Sequence, residues 1–308
     1  LSVHVALGLC VKFEAQGQMY YLKFHSTQMH LDPNGLFAFV NLAKTHSLPI
    51  ANVLLNSDGK YWSPMLPKSS YDIVYVMEEV PGQPMEEVSE QKICRYAEFM
   101  SEFHQFGKQY ETTTGHIRGG RMSRLSLMDR VAKELKEAKD VFASANHQLT
   151  KPLSQRLTGL IDDLMLKMNG CDFTELVKTH IHSDFRLCHV FFEGDNVSGI
   201  IDIDEITYAE RLLDVIFGVI SSPKPDDAKV LSWQQQLMFL GHYHELNPFS
   251  PGEFEALPLL LAYANCQQLL DLNHYISIGC EHVSIEKIER SIEEVGWLIG
   301  SNTVLDFG

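Results

Sequence analysis

HIHSDFRLCHVFFEGDNVSGIIDIDEITYAERLLD, residues His180 to Asp214, sets short apolar runs between charged punctuation. An apolar strand containing Leu176, Val177 and Ile181 is predicted to lead into a polar loop, His182-Ser183-Asp184. A hairpin follows: Val190-Phe191-Phe192, a turn at Glu193-Gly194-Asp195-Asn196, and a return from Val197 to Ile201. The return ends on Asp202, with Asp204 and Glu205 just beyond. Asp184, His189 and Asp202 are separated by five and thirteen residues. One loop and one hairpin therefore suffice to bring the three side chains together. Phosphoryl transfer needs such a set: a carboxylate to accept the proton of the attacking hydroxyl, and ligands to hold a divalent cation against nucleotide phosphates.

The pattern His-x-Asp (His182, Asp184), a metal-ligand position at 189 and Ile201-Asp202 resembles the aminoglycoside phosphotransferase and choline kinase superfamily. In wording, VFFEGDNVSGIID is most similar to the bacterial homoserine kinases of that fold. Position 189 is His where most of the superfamily carries Asn; macrolide phosphotransferases resemble this chain in that His. Imidazole is a poorer ligand for Mg²⁺ than an amide oxygen, because Mg²⁺ prefers hard oxygen donors.

The resemblance implies an α+β, two-lobed protein-kinase-like fold: a β-rich nucleotide-binding lobe over residues 1–80, then a mainly helical catalytic lobe over 81–308. It implies Mg²⁺ and ATP (or GTP) as co-substrate. Asp184 would take the proton of the acceptor hydroxyl, and Arg186 would stabilise the moving phosphoryl charge or pair with Asp204 or Glu205. His189 and Asp202 would hold the metal. Lys23 would pair with the nucleotide phosphates, and backbone groups around Met77 and Glu79 would grip the base. Asp214 resembles the buried Asp that supports backbone amides beneath such a loop, and His182 would brace the loop. Asp204, Glu205, Tyr208 and Arg211 are expected at the acceptor pocket.

Outward from this centre, Val3 to Ala15 reads as a strand turning at Gln16-Gly17-Gln18 into Met19 to Phe24. No glycine-rich loop precedes Lys23; Gly8 stands alone. Asp32-Pro33 starts a helix to about His46, apolar at Leu36, Phe37, Phe39, Val40, Leu42 and Ala43. That helix carries no Glu to hold Lys23. Tyr71 to Met77 reads as a buried strand and Glu78 to Gly82 as a link. Helices are expected at 90–106, 124–138, 153–168, 211–220, 226–245 and 251–275, with a kink at Pro258, and a last one is capped by Ser284. His104 is expected to be a packed structural residue, and His242 and His244 a surface pair.

The 308 residues carry 45% hydrophobic residues, enough for a sizeable core, and a formal net charge of −15. That charge disfavours nucleic acid and suits an amine-bearing small-molecule hydroxyl acceptor. Six scattered cysteines without a CxxC pair read as free thiols in a reducing compartment, hence a cytoplasmic protein. No apolar run is long enough to span a membrane. Oligomeric state is not readable. Two further functions remain open: a nucleotide-binding sensor or scaffold without transfer, and a metal hydrolase built on His180, His182 and Asp184.

Overall fold

The computed structural model describes residues 2–5, 9–26, 32–65, 71–85, 87–117, 126–144, 149–220, 231–277 and 285–300. It has the α+β architecture expected, a strand-rich N-terminal part followed by a mainly helical remainder. Strands β1 (Ser2–Val5), β2 (Leu9–Ala15) and β3 (Gln18–Ser26) precede helix α1 (Pro33–Thr45), and β4 (Ser63–Pro64) and β5 (Tyr71–Glu78) follow it. They form one antiparallel sheet in the order β1-β2-β3-β5-β4. The single strand expected over 3–15 is instead two, with Val3 opposite Val11. Thirteen residues would make an unusually long strand, and folding back pairs an edge that would otherwise stand open. Gly8 lies outside the described residues. The β2–β3 turn has Gln16 at φ 53° and Gly17 at φ 77°. Two consecutive positive φ angles match the right-handed twist of the strands they join.

Helix α1 begins as expected, with the Asp32 carboxylate accepting from the Gly35 N–H at 3.0 Å. Its buried stripe reaches two ways. Phe37 packs edge-on to Tyr75 of β5, while Phe39 touches Phe103, Phe106 and Tyr110, all within 5.6 Å between ring centroids. Those three belong to α2 (Glu90–Thr114), so α1 ties the sheet to the helices.

After β6 (Gln83–Pro84) and α2 come α3 (Leu127–Ala143), α4 (Lys151–Asn169) and β7 (Lys178–Ile181). The hairpin β8 (Val190–Glu193) and β9 (Asn196–Ile200), then β10 (Thr207–Glu210), lead to α5 (Leu212–Val219), α6 (Trp233–Leu246), α7 (Pro251–Ser277) and α8 (Ile285–Gly300). Helix α2 runs past the expected end at 106 because its buried face continues through Phe106 and Tyr110. Gly107 inside it has a packing role: a Cβ there would meet the His180 carbonyl oxygen at 2.6 Å, so only glycine lets β7 approach this closely. The start expected for α6 at Asp226 and the Ser284 cap fall outside the described residues; the described α6 opens on a capping box of Ser232 and Gln235.

Two small ladders present the polar loop. β7 pairs with β10, and β8–β9 pairs with β6. Leu176 and Val177 precede β7; the ladder starts at Lys178, opposite Glu210. The connector after α1 docks on β9, the Ala51 N–H donating to Ile200 O at 3.0 Å and the Ile200 N–H to Pro49 O at 3.2 Å. No described helix is long and apolar enough to cross a membrane.

Candidate active site

The loop after β7 is carried by a buried, hydrogen-bonded scaffold. Asp214, on the first turn of α5 and wholly buried, accepts from the N–H of His182 at 2.7 Å and of Ser183 at 2.8 Å. His104 of α2 donates to the same carboxylate through Nε2 at 3.1 Å, while its Nδ1 accepts from the Tyr243 hydroxyl at 2.7 Å. His182 accepts the Asp184 N–H at Nδ1 and donates from Nε2 to the Ile201 carbonyl at 2.9 Å. It thereby stitches the loop to the end of β9. Burial lowers its pKa, and these bonds suit the neutral ring. His104, His182 and Asp214 thus take the structural positions the sequence suggests.

Two non-glycine residues beside the site have left-handed backbones: Ser183 at φ 69° and Asp202 at φ 62°. Each costs on the order of 1 kcal/mol or more and is held by its surroundings. At Asp202 the left-handed turn ends β9 and starts a short 3-10 turn over Ile203–Glu205, which points Asp202 and Asp204 toward β3.

There both meet Lys23. Its Nζ hydrogen-bonds to Asp202, and to Asp204 Oδ1 at 2.5 Å. Burial opposes the ammonium, but Asp204, with Asp202, outweighs it and holds the pKa well above the ordinary lysine range. Asp202 moves the other way: burial raises it, and Lys23 and His189 overcome that to keep it well below the usual carboxylate range.

Asp184 and His189 complete the cluster. His189 donates from Nδ1 to the Asp184 carbonyl at 2.9 Å, which leaves Nε2 facing Asp202, 3.9 Å from its Oδ2. One donor atom each from Asp184, His189 and Asp202 fall within 4.8 Å of one another, the only such group among the described residues. Two carboxylates and an imidazole fit a divalent cation of the oxygen- and nitrogen-tolerant kind. The sequence reading placed Asp184 only as a proton acceptor; its carboxylate also reaches this donor set. Burial pulls the His189 pKa down, and the Cys188 side chain with Asp184 and Asp202 raises it to about 9. Arg186 pairs with Asp184 itself, Nε to Oδ1 at 2.5 Å.

Several expected roles are corrected. Asp204 does not line an acceptor pocket: it is buried against Lys23, with its Oδ2 3.7 Å from His25 Nε2. Arg211 does not either. Its guanidinium is buried against Glu253, donating from Nε at 2.8 Å and from a terminal nitrogen at 2.6 Å, and it also bonds to Asn247 and the Pro248 carbonyl. A planar fork satisfied on this many sides is a clamp between β10 and α7. The Glu79 N–H is not open to a base, since it donates to Met19 O at 3.1 Å, and its carboxylate accepts from Lys12 at 2.5 Å. Met77 is buried in β5 opposite Tyr21 and bridged to Val53. Glu205 is half-buried in the 3-10 turn. Tyr208 donates to Glu111 at 2.8 Å and stacks on His116 at 3.8 Å, a cluster no sequence signal announced.

A hydrolase site on His180 is excluded by its bonds: Nδ1 donates to Gly107 O and Nε2 accepts the Ile117 N–H. His242 pairs with Glu98 and Glu245, and His244 accepts the Phe249 N–H; neither belongs to the group of possible metal ligands found among the described residues. The described cysteines are free thiols.

Comparison with solved structures gives the same fold at low identity. An amicoumacin kinase in complex with AMP-PNP, Ca²⁺ and Ami is 15% identical, with a TM-score of 0.65 over 99% of this chain and 89% of its own. A microcompartment-associated aminopropanol kinase is 14% identical, with a TM-score of 0.61 over 97% and 90%. A spectinomycin phosphotransferase in complex with ADP and its antibiotic is 9% identical, with a TM-score of 0.58 over 100% and 90%. Comparison with curated protein sequences gives no match. The family model described as "Phosphotransferase enzyme family" matches residues 11–249, a span that takes in Lys23, the polar loop and the cluster of Asp184, His189 and Asp202. The chain belongs to that phosphotransferase family.

Proposed function

We propose that this chain transfers the γ-phosphate of ATP or GTP to a hydroxyl group of a small molecule, with Mg²⁺ or a similar divalent ion. The observation that carries this reading is the convergence of Asp184, His189 and Asp202 within 4.8 Å, with Lys23 delivered to Asp202 from the sheet. A bound divalent ion supplies charge neutralisation for the nucleotide phosphates. Asp202 and His189 hold it, and Lys23 binds phosphate oxygens. Asp184 orients the acceptor hydroxyl and takes its proton; Arg186 leaves Asp184 to meet the phosphoryl charge. In this reading residues 1–80 bind nucleotide and 81–308 carry the acceptor. The fold neighbours in complex with AMP-PNP or ADP and a small-molecule partner, amicoumacin kinase and spectinomycin phosphotransferase, support a nucleotide donor and a small-molecule acceptor. The net charge of −15 favours an amine-bearing one. Tyr208 and Glu111 offer such an acceptor a hydroxyl and a carboxylate.

A second reading is a nucleotide-binding protein without transfer. It is favoured by the pairing of Asp184 with Arg186 and by a His189 that holds its proton at neutral pH. Thermal unfolding with and without Mg²⁺, ATP and GTP, for the wild type and Asp202→Asn, separates the two. A ligand at 100 times its dissociation constant adds about 2.7 kcal/mol. Stabilisation that needs metal and nucleotide together, and disappears in Asp202→Asn, is the expected result. Stabilisation by nucleotide alone points to the second reading, and no stabilisation overturns both.

A further inference from the structure

We infer that Asp204 is the residue that positions Lys23 for nucleotide binding, a task for which helix α1 offers no carboxylate. The inference rests on the phosphotransferase reading and deepens it. Lys23 is almost wholly buried in β3, facing the same side of the sheet as its cross-strand neighbours Cys10 and Tyr75. A buried ammonium needs an anionic partner that stays in place. Helix α1, which packs beneath this face through Phe37, reads PNGLFAFVNLAKT and contains no acid.

The two acids that reach Lys23 are not equivalent. The Asp202 side chain is 38% exposed and its other oxygen faces His189, inside the donor set for a cation. An oxygen engaged by a cation has less negative charge to offer an ammonium. The Asp204 side chain is 11% exposed, lies outside the donor set, and sits 2.5 Å from Lys23. Its second oxygen is 3.7 Å from His25, itself buried in β3 two residues beyond Lys23. The backbone makes this possible: the left-handed turn at Asp202 starts the 3-10 turn in which Ile203 is buried and Asp204 faces the sheet. Asp204 therefore keeps hold of Lys23 when Asp202 turns to metal. It is a positioning residue, acting on the nucleotide only through Lys23.

The test is a double-mutant cycle read as the affinity for AMP-PNP with Mg²⁺ by titration calorimetry. The proteins are wild type, Lys23→Met, Asp204→Asn and the double variant, with unfolding of each ligand-free protein measured in parallel. Asp204→Asn should weaken nucleotide binding about tenfold, and the double variant should bind no more weakly than Lys23→Met alone. Asp204→Glu should recover part of the loss. Should Lys23→Met fail to fold, Lys23→Gln closes the same cycle. Losses that multiply in the double variant overturn the inference and leave the phosphotransferase reading intact. A wild type that binds no nucleotide with any metal overturns that reading, and this inference with it.

Discussion

Two layers of ionisable groups meet at the loop 182–184, and they are built on opposite principles. Beneath the loop, Asp214 has both oxygens filled by backbone N–H groups and a histidine, and His104 and His182 each have both ring nitrogens bonded. Above it, Lys23, Asp184, Arg186, His189, Asp202 and Asp204 are paired chiefly with one another, charge against charge. The lower layer has its hydrogen bonds complete within the protein and so holds shape. In the proposed reading the upper layer would exchange partners on binding a cation or phosphate, because its pairs are ionic and partly open to solvent. Position and reactivity are separated by one turn of chain.

That contrast can be broken most forcefully at Asp214. Asp214→Ala leaves two buried N–H groups and His104 without an acceptor and should destabilise the protein by roughly 3–5 kcal/mol. Urea unfolding measures this; a loss below about 1 kcal/mol would mean the lower layer is not the support described.

A smaller effect follows from the two histidines, whose rings lie 6.5 Å apart across the layers. His189 has a folded pKa of about 9, above its unfolded value, so its stabilisation is complete below about 6.5 and is lost as pH rises through about 9. His182 is lowered by burial, so it destabilises as pH falls below its unfolded value. The stability difference between wild type and His189→Gln should therefore shrink from about pH 7 to 9.5, whereas a flat difference would place His189 outside the charged layer.

The smallest expected change is in metal requirement. His189→Asn exchanges an imidazole for a hard oxygen donor and should lower the Mg²⁺ concentration needed for nucleotide binding by up to about tenfold. Calorimetry at fixed nucleotide checks it; an increased requirement would show that the imidazole is the better ligand here.

Much of this was legible in the chain. Asp184, His189 and Asp202 stand at strand ends joined by a short hairpin, and such spacing leaves few ways to keep them apart. Asp32-Pro33 announced α1 through local capping chemistry, and the apolar stripe of α1 announced its buried face. The partners of the charged groups were not legible. Asp204 and Arg211 both read as pocket residues because each lies past the loop that begins at Asp202, yet one is turned to β3 and the other to α7. The absence of an acid on α1 was visible and raised the question of what holds Lys23; only the 3-10 turn after Asp202 brings up an answer.

Sequence alone determined most of the helices, the loop and hairpin that gather Asp184, His189 and Asp202, and the family to which the chain belongs, because these depend on periodicity, capping and spacing over a few tens of residues. Tertiary structure decided which carboxylate serves which cation, that Gly107 admits β7 against α2, and that the Glu79 N–H closes on Met19. Those choices join residues up to 181 positions apart. They are set by packing and by the need to pair every buried charge, and neither leaves a local mark on the chain.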